Sequence, residues 1–291
     1  MSYKIIYFLI ILFLESTHAY CQTSGKIIAS STKEPVPYAT IFIKNRNIGF
    51  HSDSDGNFTI AANILENDSL YVQALGFKTA ILRYTKDMSL SVITLDEAPI
   101  LLQQVTVKKK NKPDFVWKGA KGEHKGFIFG QMGGSILREV ALYIPNEDKL
   151  EGFLDEVAFY IVRFGQHKTP FRVHVYDVNG DMPGKELLSG NVILAGKRPN
   201  KYTTVDISSY NIPFGENGVF ISMEWLNLND KKYFYTIKHY NSKATDTYYG
   251  QQIGLSGEFE ELYGRVRINN GPWKKMTAGF ASPMFRAKIS F

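Results

Sequence analysis

A single cysteine stands among the 291 residues, and its place removes it from structural use. Lys4 precedes an apolar run from Ile5 to Leu14, and small or polar residues then lead to Ala19-Tyr20-Cys21-Gln22. A charged start, an apolar stretch and small residues in that order are expected of a secretory signal peptide over residues 1–21. Cleavage before Gln22 puts Ala19 and Cys21 at the two positions where small side chains are preferred, and the only thiol leaves with the peptide. Disulfides are then excluded, and stability has to come from apolar cores. The run is also about half the roughly 20 apolar residues that a spanning helix needs, so no transmembrane span is expected after cleavage. Lipidation of Cys21 is the alternative fate, but the large ring of Tyr20 fits poorly before a lipidated cysteine.

Other absences narrow the chemistry. No HExxH or HxxE pair occurs, and His51, His124, His167, His174 and His239 are not at the short spacing at which one element supplies two zinc ligands. For His174, between Val173 and Val175, the expectation is an exposed or hydrogen-bonded place on an alternating strand. Asp53 and Asp55 before Gly56, and Asp177, Asn179 and Asp181 around Gly180, offer hard oxygens but lack the distal carboxylate of a calcium loop. Both read as turns. Gly254-Leu255-Ser256-Gly257 is one residue short of a G-x-S-x-G elbow and reads as a loop, and Gly130-Gln131-Met132-Gly133-Gly134 matches no phosphate-binding loop. No metal and no cofactor is therefore expected. The net charge of +6 is modest, and without a basic stripe interleaved with aromatics on one element no nucleic-acid partner is expected.

What the chain has in quantity is short β-forming runs. Gly25-Lys26-Ile27-Ile28, Pro35 to Ile43, Ser52 to Ile60 and Leu70 to Phe77 follow one another, rich in β-branched and aromatic residues and bounded by Pro, Gly and Asp. Asp55-Gly56 is expected to close a tight hairpin, and Gly76 to mark another turn. The order of these runs resembles the carboxypeptidase regulatory-like domain, a small transthyretin-like or Ig-like β-sandwich found in exported proteins of Bacteroidota. The resemblance covers about residues 24–107 and implies an accessory module, not a catalyst. Leu95 to Val107 is similar to the strand that closes this domain before the plug of outer-membrane TonB-dependent receptors. The residues that follow lack the ten-residue alternating strands of a membrane barrel.

The expected organisation is a signal peptide (1–21), the regulatory-like domain (22–107), a basic linker (108–115) around Lys108-Lys109-Lys110-Asn111-Lys112-Pro113, and a second β domain (116–291). In the last, Glu156 to Arg163, Phe171 to Val178 and Gly218 to Trp225 mostly alternate apolar with polar residues and predict strands with one face in water. Asn179 to Lys185 is dense in turn formers, and Asp206 to Ile212 reads as a short edge element. The fold class is all-β, with a jelly-roll-like sandwich as its larger part. That part resembles only uncharacterised partner domains.

Function is expected to be exported and non-catalytic, a binding or scaffold role in the cell envelope toward a glycan, peptide or partner protein. The place would be the periplasm or the outer membrane, with secretion open. Tyr248, Tyr249 and Trp273, set among Gly, Asn and Thr, form the candidate stacking platform, whereas Trp225 reads as core. One alternative is a polysaccharide- or peptide-acting hydrolase, pairing Glu224 with Glu258, Glu260 or Glu261. The other is a purely structural accessory of an outer-membrane assembly.

Overall fold

In the computed structural model, residues 22–98, 114–120, 123–238, 243–256, 264–276 and 282–291 are described. The expected signal peptide, Cys21, the lysine run 108–112, His239 and Glu258, Glu260 and Glu261 lie outside them.

The first apolar runs form β1 (Thr23–Ala29), β2 (Thr40–Ile43), β3 (Ile48–His51), β4 (Asn57–Ile60), β5 (Ser69–Gln73), β6 (Ala80–Arg83) and β7 (Val92–Leu95). They make two small sheets, ordered β4-β1-β7 and β3-β2-β5-β6, in which only the β1–β7 pair is parallel. Alternate residues point between the sheets, so Ile27, Ile41, Ile43, Phe50, Phe58, Ile60, Leu70, Val72, Ile93 and Leu95 share one core. The Asp53–Gly56 segment is a turn but closes no hairpin, because β3 and β4 belong to different sheets. Asp53 Oδ1 accepts the N–H groups of Asp55 and Asn57 at 2.9 and 2.8 Å, which fixes the crossing. Gly56 sits there at φ +75°, where a Cβ would come within 2.6 Å of the Ile27 carbonyl oxygen.

The remaining strands are β8 (Phe115–Gly119), β9 (His124–Met132), β10 (Arg138–Ile144), β11 (Gly152–Gly165), β12 (Phe171–Asn179), β13 (Met182–Glu186), β14 (Val192–Leu194), β15 (Lys201–Asp206), β16 (Pro213–Phe214), β17 (Val219–Trp225), β18 (Phe234–Lys238), β19 (Thr245–Ser256), β20 (Gly264–Ile268), β21 (Lys274–Lys275) and β22 (Phe285–Ser290). One sheet runs β13-β12-β17-β10-β20-β21 with β14 beside β12; the other runs β18-β19-β11-β22-β8, with β15 and β16 on β11 and β9 on β19. Val140 and Leu142 of β10, Phe171 and Val173 of β12, and Ile221 and Met223 of β17 face Val157, Phe159, Phe285 and Ala287 across a second core. Phe159 meets Phe171 and Phe285 edge to face, at 5.4 and 4.7 Å between ring centroids. The fold is thus all-β. Among the described residues no helix is long and apolar enough to cross a membrane.

Several details depart from the sequence reading. Phe115, expected as the end of the linker, already begins β8. Asp206 ends β15, and Ser208–Tyr210 is a 3-10 turn instead of a short edge element; the Asp206 side chain accepts the Ser208 N–H at 2.8 Å. Gly254 to Ser256 is strand, not loop, because β19 continues to Ser256, whose N–H donates to Ser282 O. Strand β17 has no face in water: all seven of its residues are buried.

Trp225 ends β17 with no exposed surface; its indole N–H donates to Gln251 O at 2.8 Å, and its ring meets Phe129 at 6.1 Å. Trp225→Ala is expected to cost about 3–5 kcal/mol, read as a lowered denaturation midpoint in urea. A change below about 1 kcal/mol would show that the ring is not part of the core.

Candidate functional site

The second face of β17 is polar, yet it is buried because another part of the chain covers and partners it. Strand registers place Arg172 of β12 opposite Glu224 of β17, Glu224 opposite Glu139 of β10, and Glu139 opposite Arg267 of β20. Four charged side chains therefore stand in one row on the face turned away from the sandwich core. Arg172 Nη1 donates to Glu224 Oε2 at 2.8 Å, and Arg267 Nε donates to Glu139 Oε2 at 2.5 Å. Tyr176 and Ser222 donate their hydroxyls to Glu139 Oε1 at 2.9 and 2.5 Å.

Two histidines meet Glu224, in opposite protonation states. His51, from β3 of the N-terminal sandwich, lies 3.1 Å from Glu224 Oε1 through Nε2, while its Nδ1 accepts the backbone N–H of Asn227 at 2.9 Å. An acceptor at Nδ1 leaves the proton on Nε2, so His51 is neutral. Burial lowers its pKa, against the opposing pull of Glu224. His174 has Glu186 Oε2 at 2.7 Å from Nδ1 and Glu224 Oε2 at 3.3 Å from Nε2. Two carboxylates facing two ring nitrogens require an imidazolium. Burial works against that charge, but Glu139, Glu186 and Glu224 outweigh it and raise the pKa to about 10. Burial likewise opposes ionisation of Glu224, yet Arg172, His51 and His174 hold it well below the usual carboxylate value.

The same face carries further joints between the sandwiches. Arg172 Nη2 donates to Tyr38 O, Gly49 N–H donates to Ser135 O at 2.9 Å, and Asn269 Nδ2 donates to Asn47 O at 2.9 Å. His51 N–H donates to Asn227 O at 2.8 Å. At this seam lies a cleft of about 190 Å³, bordered by Thr40, Gln73 and Leu75 from one sandwich and by Arg172, His174, Glu186, Glu224 and Arg267 from the other.

Chemically, the carboxylates here are spent as acceptors. Glu224 receives His51, Arg172 and His174; Glu186 Oε1 receives the N–H groups of Val175 and Leu188. Among the described residues no group of three or more His, Cys, Asp or Glu side chains is arranged to hold a metal ion.

The platform expected from sequence is not assembled. Tyr249 is fully buried: it faces the interior from β19, and its hydroxyl donates to Leu226 O at 3.0 Å. It therefore has no face to offer a ligand. Tyr248, its neighbour on the other side of the strand, stacks on Tyr235 at 5.8 Å. Trp273, just before β21, packs on the opposite sheet, edge-on to Tyr176 at 5.9 Å and with the Arg267 guanidinium 4.8 Å from its ring. The two calcium-loop lookalikes are turns: Asp177 Oδ1 accepts the Lys185 N–H at 2.5 Å, and Asp181 pairs with Lys275 at 2.5 Å. Glu224, proposed from sequence as a hydrolytic carboxylate, stands among bases instead. Sequence reasoning missed the row of Arg172, Glu224, Glu139 and Arg267. Its visible trace was Ser222 and Glu224 at alternate positions of the run 219–225.

These protonation states set a pH dependence. His51 and Glu224, with lowered pKa values, stabilise the folded chain fully above their ordinary values of 6.5 and 4.5, and that contribution is lost as pH falls below them. His174, with a raised value, stabilises fully below 6.5 and loses this as pH rises through about 10. Thermal melts should show greatest stability near pH 6.5, with His51→Gln shortening the acid limb and His174→Gln the alkaline limb between pH 6.5 and 10. Unchanged limbs in both variants would refute the assignment. The seam is tested separately by Gly49→Ala, since a Cβ there would lie 2.2 Å from Leu137 Cγ. That variant should open the seam, seen as faster hydrogen exchange at the Gly49 and His51 amides with the Phe159 core still protected.

Comparison with known proteins adds three findings. The TonB-dependent receptor SusC of Bacteroides thetaiotaomicron is 29% identical over 147 residues, covering 45% of this chain and 14% of SusC, so the chain spans a small part of that relative's length. A structure of infectious bursal disease virus Gt strain covers 92% of this chain and 62% of the viral chain at 8% identity and a TM-score of 0.24, too slight a likeness to carry an argument. The family model of the CarboxypepD_reg-like domain matches residues 23–107. The small sandwich of β1 to β7, which lays His51 and Tyr38 against the charged sheet, is a CarboxypepD_reg-like domain.

Proposed function

We propose that this chain is an exported, non-catalytic protein of the cell envelope in which the regulatory-like domain and the larger sandwich act as one unit toward a glycan, peptide or partner protein. The observation that carries this reading is the use of the charged face. Its ionisable groups are committed to one another and to holding the N-terminal domain in place. A general acid needs a carboxyl group raised toward neutral pH, whereas Glu224 is held well below its usual range. The hydrolase alternative thus loses its leading residue. The likeness of part of the chain to a protein named as a TonB-dependent receptor supports a place at the outer membrane, and the order of residues 1–22 supports export.

Fractionation with mass spectrometry tests the setting. The protein is expected in the envelope fraction with Gln22 or a neighbour as its first residue. An intact chain beginning at Met1 in the cytoplasm would refute export, and a lipid mass on Cys21 would replace free export with anchoring. A glycan array and a pull-down from envelope extract test the binding role, and hydrolysis of any arrayed glycan by the purified protein would overturn the non-catalytic reading.

A further inference from the structure

The charged wall of the cleft at the seam is closed both in charge and in hydrogen bonds. Arg172, His174 and Arg267 stand against Glu186, Glu224 and the Glu139 that pairs with Arg267, so three cations meet three anions. Arg172 spends its guanidinium on Asn191, Glu224 and Tyr38, and Arg267 spends Nε and Nη2 on Glu139 and Tyr176. Each oxygen of Glu186 and Glu224 already accepts a hydrogen bond. What stays uncommitted on the cleft is uncharged. Thr40 of β2 stands opposite His51 on one side and Gln73 on the other, so the row that starts with His51 runs on into the cleft. Thr40 is only 6% exposed, yet among the described residues its hydroxyl has no hydrogen-bond partner. The Gln73 carbonyl oxygen and the side-chain amide of Asn270, in the turn after β20, have none there either. Gln73 Nε2 donates only a long hydrogen bond, 3.4 Å, to Thr79.

We propose that this cleft binds one uncharged sugar residue, whose hydroxyls bond to Thr40, Gln73 and Asn270 while the C–H face of its ring lies against Leu75 and Leu188, so that the guest touches both domains. A wall with no net charge leaves an ionic guest uncompensated in a partly desolvated place. Hydroxyl and amide groups both donate and accept, and a sugar presents several groups that do the same around an apolar ring. The volume of about 190 Å³ is well below the roughly 300–1,000 Å³ of drug-sized pockets, which limits the guest to one compact unit. An extended peptide needs instead a strand edge or a groove that runs on past a single residue. The inference rests on the binding reading above, and it names a neutral glycan as the ligand class and the seam as its place.

Titration calorimetry on the mature chain tests this with methyl α-D-glucopyranoside, methyl α-D-mannopyranoside and methyl β-D-galactopyranoside, each beside its uronate, and with N-acetyl-alanine N-methylamide as a peptide mimic. At least one neutral glycoside is expected to bind, its uronate at least about tenfold more weakly, and the peptide mimic more weakly than the glycoside. Thr40→Val keeps the shape and removes a hydroxyl that has no partner among the described residues. The melting temperature should therefore hold while binding falls about two- to tenfold, the loss of one uncharged hydrogen bond. Gln73 is exposed, so Gln73→Ala should weaken binding to a similar degree without endangering the fold. A bound glycoside should also slow hydrogen exchange at the Gly49 and His51 amides of the seam. Uronates that bind as well as the neutral forms, a peptide mimic that binds as well or better, unchanged exchange at the seam, or wild-type affinity in folded Thr40→Val and Gln73→Ala would overturn the proposal. So would silence from every glycoside. If an envelope glycan or protein is still captured in that case, only the cleft assignment fails; if nothing is captured, the binding reading fails with it.

Discussion

A carboxylate with almost no access to water has to be surrounded by donors, and Glu224 obtains them from two domains. Its side chain is 7% exposed, with Arg172 and His174 supplied by the neighbouring strand and His51 by the regulatory-like domain. Removing one partner from a buried ion pair typically costs about 3–5 kcal/mol, because the remaining charge is left uncompensated. The position of the N-terminal domain is thereby tied to the ionisation of one residue near the end of a strand of the other. Glu139 repeats the arrangement one strand further along, with Arg267, Tyr176 and Ser222 as its donors. The sheet thus carries two acidic centres flanked by two arginines, and only the first of them reaches across the seam.

This constraint accounts for features of both sandwiches that core packing alone leaves open. β17 can bury both faces because one meets Val140 and Val173 in the apolar core while the other meets His51 and its companions. Gly49 lacks a side chain where Leu137 comes close, and its backbone N–H and C=O both cross the seam, to Ser135 and Asn227. Asn227 closes the joint with His51: its backbone N–H donates to the ring Nδ1, and its carbonyl accepts the His51 N–H. A partner that used apolar area alone could slide. Directional bonds to a histidine ring fix a register.

Much of the architecture was legible in the sequence, and the reason is local. Runs such as 156–163 and 171–178 alternate with period two, and alternation reports a strand whatever it pairs with. The CarboxypepD_reg-like domain was readable for the same reason, since its order of apolar runs and turns is a property of consecutive residues. What escaped was decided by register between distant strands. Arg172, Glu224, Glu139 and Arg267 become neighbours only through three pairings, none of which leaves a mark on local spacing. Tyr249 escaped through context: Gly250 and the threonines beside it suggest a loop, but Gly250 at φ +75° is an irregularity within a long strand, set against Trp225. His174 was rightly placed on an alternating strand, yet its polar face turned out to be shared with another domain instead of water.

An accessory domain held in this way has a defined mechanical relation to its partner. Polar networks that are fully satisfied gain little net stability over an apolar seam, because desolvation offsets most of the attraction. Their effect is discrimination: a shift of one residue along β3 would exchange His51 for a side chain on the opposite face and take from Glu224 Oε1 the donor that His51 supplies. The seam therefore has one good arrangement and no continuum of nearly equal ones. A cleft formed between two such parts keeps a fixed shape, with Gln73 and Leu75 held at a set distance from Arg267, even though they belong to separately packed cores. In this fold the regulatory-like domain contributes a lip whose geometry is set by ionised groups it does not itself carry.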